Sequence, residues 1–198
     1  YNKAFPDRII FKIIYDNEEV VRALLNQDID VTNRLSLSSI PELINHSDFK
    51  KNYDFDFVDR YAYSYLGLNC KPDGIEYKKF FTEKNVRRAI AYTMPIDEII
   101  DVILNGKATR QAAQISSLKR TYNDTLKLIP LDIEKAKEMF EEAGWIDTDG
   151  DNIRDKIVDG EKLQMSFKLS YMSSPITKEI ALMIQESMYK AGVNAIPT

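Results

Sequence analysis

Cysteine and histidine, the residues that most often build nucleophilic and zinc sites, are almost missing from this chain. Its 198 residues include one cysteine, Cys70, and one histidine, His46. One cysteine cannot form a disulfide within the chain, and this pair alone cannot supply the four ligands of a structural zinc site. One cysteine and one histidine are enough for a Cys–His nucleophilic pair, so their number does not exclude one. Because no signature of such a site flanks Cys70, we interpret it as a packed or semi-exposed thiol. With no glycine-rich phosphate loop either, we predict a protein that is not an enzyme and needs no cofactor.

Long apolar runs and an excess of positive charge are also missing. The longest apolar stretches, 9–15 and 99–104, are interrupted by Lys12 and Asp101 and fall short of the roughly 20 residues that cross a bilayer. The net charge of −4 argues against a nucleic-acid partner. The chain opens on Tyr1 and carries no signal-peptide pattern. We expect it to be a segment of a longer protein, so the missing signal does not indicate its location.

Apolar patterning in the first third predicts strands around one helix. Residues 8–15 are rich in β-branched and aromatic side chains, which is typical of a strand, and 29–31 resemble a second short strand. Between them, Asp16 or Asn17 can cap a helix with an apolar stripe at 20–25. Together these segments predict a β-α-β unit.

A second aromatic stretch follows. Tyr61, Tyr63 and Tyr65 alternate with other residues, which would place them on one side of a strand. A loop holding 72–74, with the order Pro-Asp-Gly, comes next.

The rest of the chain carries helical patterns with recognisable ends. Thr82 can cap a helix over 86–93, and Pro95 must interrupt that helix because proline cannot donate the intrahelical hydrogen bond. Further helices are predicted to begin after Asp132 and at Ser174. The other predicted elements are a helix over 96–104 closed by Asn105 and Gly106, a long connection over 107–130, a strand over 163–171 and a last strand over 193–196. Strands and helices intermix, so the predicted fold class is α/β (α+β mixed).

One acidic loop could hold a metal ion. Asp147, Asp149, Asp151 and Asp155 follow an Asp-x-Asp-Gly-Asp order that is similar to some calcium loops, and converging carboxylates suit Ca²⁺. The order departs from the EF-hand, where glycine stands sixth and glutamate twelfth. The alternative is a tight turn in which aspartate and glycine supply the geometry. We assign no metal site and keep the calcium loop as the alternative.

The tyrosine stretch is the candidate ligand site. Ring faces and phenolic hydroxyls suit a pocket for amphipathic solutes. A half-buried strand with aromatic cross-strand packing is the alternative interpretation of the same pattern.

Several segments, in order, resemble one family. Residues 85–100 (NVRRAIAYTMPIDEII) are similar to the pattern V-R-x-A-I-x-Y-A-I-D-R-x-x-I, with Met94 and Pro95 in place of the usual alanine. Similar matches are 65–69 to Y-x-x-x-N, 132–145 to D-x-x-K-A-x-x-L-L-x-E-A-G-W, the acidic loop to D-x-D-G-D-G, and 180–193 to I-A-x-x-I-Q-x-x-L-x-x-x-G-V. The chain thus resembles the family 5 extracellular solute-binding proteins, receptors of bacterial ABC importers.

The resemblance implies a partial periplasmic-binding-protein-like fold of type II. Residues 1–58 would be the end of a first lobe, and 59–198 the first part of a second lobe. Because the strand equivalent to 61–69 runs beside the ligand cleft in peptide-binding members, Tyr61, Tyr63 and Ser64 are candidate ligand-binding residues. The shared loop also strengthens the structural interpretation of the acidic turn.

The implied function is capture of oligopeptides or dipeptides for uptake. The resemblance implies a monomer working with ABC permease subunits, exported to the periplasm or anchored as a lipoprotein at the cell surface. Other members take nickel complexes, haem or sugars, and the sequence does not separate these solutes. The alternative is a calcium-binding structural or interaction module of an exported protein.

Overall fold

The computed structural model describes residues 6–33, 35–71 and 78–198. By their contacts they divide into two units, Tyr1–Arg60 and Tyr61–Thr198. The assignment of 1–58 and 59–198 to two lobes stays a prediction. The predicted loop at 72–74 lies outside the described residues.

Unit 1 is built from three short helices. They are α1 (Asn17–Leu25), α2 (Ile40–Leu43) and α3 (Ser47–Asn52). The predicted cap is confirmed, because the Asp16 carboxylate accepts a hydrogen bond from the Glu19 amide at 2.9 Å. The core of the unit consists of Val20, Leu24, Leu43 and Phe49.

The β-α-β unit predicted in this region is wrong. Among the described residues, neither 8–15 nor 29–31 forms a strand. A strand is defined by its ladder of hydrogen bonds to a neighbour, and β-branched residues favour that pairing without supplying the partner. Ile9, Phe11, Ile13 and Tyr15 are consequently exposed.

Among the described residues, unit 2 contains the two longest helices together with several shorter ones. They are a 3-10 helix (Lys79–Thr82), α4 (Lys84–Tyr92), α5 (Ile96–Glu98), a π-helical turn (Ile99–Ile103), α6 (Ile133–Glu142) and α7 (Pro175–Lys190). The caps at Asp132 and Ser174 are confirmed, since their side chains accept the amides of Lys135 and Thr177. Among the described residues, no helix is both long and apolar enough to span a membrane.

The predicted cap at Thr82 is wrong, whereas the break at Pro95 is confirmed. The Thr82 hydroxyl donates back to the carbonyl of Lys79 at 2.7 Å, and Glu83 occupies the N-cap position of α4. Helix α4 ends at Tyr92, and the chain becomes helical again at Ile96. Asn105 and Gly106 adopt the predicted left-handed conformation, with φ of 50° and 70°.

In the part of the chain that the structure describes, four strands pair in two small sheets. Strands β1 (Asp155–Val158) and β2 (Glu161–Gln164) form an antiparallel hairpin. Strands β3 (Ser166–Leu169) and β4 (Asn194–Pro197) pair in parallel, with Ser166 opposite Asn194. Helix α7 provides the crossover between the parallel strands, so a β-α-β unit lies at this end of the chain.

The single strand predicted over 163–171 is divided at Met165. The Met165 amide donates to the carbonyl of Arg154, whereas its carbonyl accepts from the amide of Asn194. The chain therefore changes partners at this residue, from the hairpin to the parallel sheet.

The core of unit 2 lies between helices and the parallel sheet. Trp145 and Phe140 are fully buried in it, and the Trp145 ring packs edge-on to Phe80 at 5.4 Å. Val86, Ala89 and Ile90 of α4 and Ala136 of α6 complete the centre. Helices and strands together confirm the predicted α/β (α+β mixed) class.

Candidate functional site

The candidate ligand residues lie at the start of unit 2, on its surface. Tyr61, Tyr63, Ser64 and Tyr65 are all exposed, and none of them is in a strand. The predicted strand is therefore wrong, as is the alternative of half-buried cross-strand packing, because no described strand pairs with this segment. The structure brings the Tyr63 and Tyr65 rings together, with centroids 5.9 Å apart.

Side chains along 61–68 nevertheless point in two different directions. Leu66 and Leu68 pack against the core of unit 2, whereas the tyrosines face solvent. Two leucines thus anchor a row of exposed aromatic rings.

The main chain of this segment is open for hydrogen bonding as far as the described residues are concerned. Across 61–67, no amide or carbonyl forms a hydrogen bond with any residue that the structure describes. Backbone groups that form no internal bond can pair with a second chain. The segment therefore offers main-chain donors and acceptors beside aromatic side chains.

Lys119 contacts the candidate site and was not predicted from the sequence. Its ammonium group lies 6.0 Å from the centre of the Tyr61 ring, within the range of a cation–π contact. Fifty-eight positions separate the two residues, and Lys119 belongs to a segment without periodicity. No local signal could have identified it.

The acidic loop is bonded internally. One carboxylate oxygen from each of Asp147, Asp149 and Asp151 lies within 4.8 Å of the others. Asp147 accepts the amides of Gly150 and Asn152 at 2.8 and 3.0 Å. Such bonds are typical of an aspartate turn.

The other carboxylates of the loop also have protein partners. Asp149 pairs with Lys162 at 2.6 Å, and Asp151 accepts the amide of Ile153 and the side chain of Gln164. These contacts favour the structural interpretation of the loop over the calcium one.

Asp155 is separate from this cluster. It is buried at the start of β1, where it accepts both the amide and the hydroxyl of Thr148 and pairs with Lys162 at 3.2 Å. Burial raises the pKa of Asp155, but the hydrogen bonds from Thr148 and Lys162 outweigh it, so the pKa lies below its ordinary value. Asp155 thus joins the loop to the hairpin.

A comparison with known protein families identifies the family of this chain. The family model described as bacterial extracellular solute-binding proteins, family 5 Middle, matches residues 1–197. The chain belongs to this family. The resemblance read from the sequence motifs is therefore confirmed.

Two relatives illustrate the range of the family. The oligopeptide-binding protein AppA of Bacillus subtilis is 27% identical over 198 residues, covering 96% of this chain and 33% of the relative. Heme-binding protein A of Haemophilus influenzae is 32% identical over 84 residues, covering 39% of this chain and 15% of that protein. The chain thus spans about a third of the length of its first curated relatives.

Solved structures confirm the fold. AppA in complex with a nonapeptide superposes with a TM-score of 0.71 at 27% identity, over 94% of this chain and 34% of that one. NikA of Brucella suis, in complex with Fe(III)-EDTA, superposes with a TM-score of 0.76 at 22% identity, over 94% and 36%. The chain has part of a periplasmic-binding-protein fold, as predicted, and its homologues are solute-binding proteins rather than enzymes.

Proposed function

We propose that this chain is part of the solute-binding component of an ABC importer that captures peptides. Family membership supports solute binding, and AppA, solved with a nonapeptide, supports peptides over other solutes. The haem-binding relative covers less than half of the chain. Because the chain spans a third of its first relatives, the proposal concerns the intact protein.

The open main chain at 61–67 carries this proposal. A peptide has one donor and one acceptor at almost every residue, so a segment with unpaired backbone groups can bind it independently of its sequence. Tyr61, Tyr63 and Tyr65 would pack against the peptide's side chains through their ring faces. Ser64 would add a hydroxyl that both donates and accepts.

Lys119 gives the site a charge. Its ammonium group beside Tyr61 would attract a carboxylate, either at the peptide's C-terminus or on an acidic side chain. We therefore propose a preference for peptides that place a carboxylate at this end of the segment.

Thermal unfolding of the intact protein tests peptide capture. A ligand that binds only the folded state adds about 2.7 kcal/mol of stability at a concentration 100-fold above its Kd, so the midpoint should rise with a mixed peptide pool. Haem and a nickel–histidine complex are measured in parallel. A rise with either of these and none with peptides would contradict peptide specificity.

A pair of tyrosine variants locates the site. Tyr63→Ala should weaken peptide binding about fivefold, since an aromatic contact contributes about 1 kcal/mol. The control is Tyr189→Ala, because Tyr189 on α7 is 51% exposed, close to the 47% of Tyr63. Equal affinities of the two variants would contradict a site at Tyr63.

The proposed location and partners follow from the same role. A receptor for an importer meets its solute outside the cytoplasm, so we propose an exported protein in the periplasm or anchored as a lipoprotein. It would act as a monomer that delivers its peptide to the permease subunits. Fractionation of cells and co-purification with the permease test these two points.

A further inference from the structure

Helix α7 carries an exposed leucine on the side that faces away from the core. Ala181, Ile184 and Met188 point inward and are buried in the core. Leu182 is 46% exposed and lies on the wall of a surface groove. A helix that packs on only one side would normally carry polar residues at such a position.

The groove runs between α7 and the π-helical turn and has a volume of about 510 Å³. Its other apolar wall residues include Val102 of that turn, which is 64% exposed, and Leu131 before α6, which is 45% exposed. Met183 contributes a flexible thioether side chain, which adapts to different partners. The groove is therefore apolar although it faces solvent.

The rim of the groove is acidic. Glu98, Glu179 and Glu186 line it, and Lys190 is the only positively charged residue among the described residues that line it. Lys190 pairs with Glu186 at 2.9 Å. Three carboxylates and one ammonium group leave two negative charges around an apolar floor.

The dimensions suit a helix. From Glu179 to Lys190, α7 borders the groove for eleven residue steps, which is about 16 Å at 1.5 Å per residue. That length corresponds to about three turns of a second helix lying alongside. Apolar floors with charged rims are the sites where proteins bind amphipathic helices of the opposite charge.

We propose that this groove binds a cationic amphipathic helix of a partner protein. Apolar side chains on one face of that helix cover Leu182 and Val102, and its lysine or arginine residues pair with Glu98 and Glu179. The inference goes beyond the proposed function, because it concerns a partner protein and holds whichever solute is captured. It uses unit 2 alone.

A designed peptide of about 14 residues serves as the probe. It carries leucines at helical spacing and lysines on its flanks, and a matched peptide replaces every lysine with glutamate. Fluorescence anisotropy measures binding to the intact protein, so that a groove covered by the rest of the protein would give no signal. We expect the lysine peptide to bind and the glutamate peptide not to bind, with weaker binding as salt rises from about 50 mM to about 300 mM.

Two charge reversals assign the binding to the groove. Glu179→Lys should weaken the lysine peptide about fivefold or more. Glu161→Lys changes the net charge equally, but Glu161 is an exposed residue of β2 that does not line the groove, so its effect should stay below about twofold. Circular dichroism checks that both variants keep the helical content of the native chain.

Several results would overturn the inference. Equal affinities of the two variants, equal binding of the two peptides, or no binding at about 1 mM peptide would each do so. Loss of binding in Tyr63→Ala but not in Glu179→Lys would place the probe at the tyrosine segment instead. A dimer of the chain that Glu179→Lys dissociates would show that a second copy occupies the groove.

Discussion

Replacing Gly192 by alanine should destabilise unit 2 more than the same change at any glycine facing open space. Gly192 follows α7 with φ of 82°, in the left-handed region. A Cβ atom built there lies 2.8 Å from Cγ of Arg154, closer than real side-chain contacts allow. Cγ is near the main chain, so Arg154 cannot yield by moving only its tip.

The cost has two parts. A left-handed conformation costs an L-residue about 1–2 kcal/mol. Displacing Arg154 disturbs a buried guanidinium that donates to the carbonyls of Ala191 and Trp145 at 2.9 and 2.8 Å and to Glu141 at 2.9 Å. Loss of such bonds adds about 1–3 kcal/mol, so we expect a total of about 2–5 kcal/mol.

Gly160→Ala is the matched control. Gly160 has φ of 84°, but no atom of the described residues lies within 4 Å of its built Cβ. Gly160→Ala should therefore lower the free energy of unfolding only by the cost of the left-handed conformation, about 1–2 kcal/mol. The difference between the two variants, about 2 kcal/mol, corresponds to roughly 4–8 °C in the thermal midpoint.

Fluorescence during urea unfolding measures both variants. Trp145 is the only tryptophan and is fully buried beside Arg154, so its emission reports this part of the core. If the two variants lose stability equally, the close contact with Arg154 has no energetic consequence and the reasoning is refuted.

Three further predictions concern buried polar groups and the acidic loop. Ser187→Ala should cost about 1–2 kcal/mol in urea unfolding, because its buried hydroxyl donates to the Thr93 carbonyl at 2.7 Å; no loss would contradict the role of this bond. The folded-state pKa of Asp155 lies below 3.8, so its ionised form contributes stability above about pH 4 that is lost as pH falls through the lowered pKa. Asp155→Asn should therefore be less stable than the native chain near neutral pH and should approach its stability as pH falls through that lowered pKa, whereas a constant difference would refute this linkage. Millimolar Ca²⁺ should leave the thermal midpoint within about 1 °C of its value with chelator, since the loop carboxylates already have protein partners; a rise of about 5 °C would favour the calcium alternative.

Helix ends were predictable because their signals are local. Asp16, Asp132 and Ser174 each accept an amide three residues onward, so the residues that form the cap are close together in the sequence. The cap predicted at Thr82 does not form, because the Thr82 hydroxyl donates instead to the carbonyl of Lys79 within the same short turn.

Strands were less predictable because their partners are distant. Residues 8–15 have the composition of a strand but no described partner, and Met165 divides another by pairing with both Arg154 and Asn194. The candidate site shows the same limit. Tyrosine alternation was visible in the sequence, whereas the approach of Lys119 to Tyr61 depends on how 107–130 folds back.

The amino-acid sequence by itself determined most of the longer helices, the caps at Asp16, Asp132 and Ser174, the mixed fold class and membership of the solute-binding family, because these depend on neighbouring residues or on motif order. Only the tertiary structure decided which strands pair, that 61–67 forms no main-chain hydrogen bond with another described residue, and that the acidic loop bonds to Lys162 and Gln164. Hydrogen bonds between distant segments leave no pattern among neighbouring residues of the sequence, so they can be identified only in the folded structure.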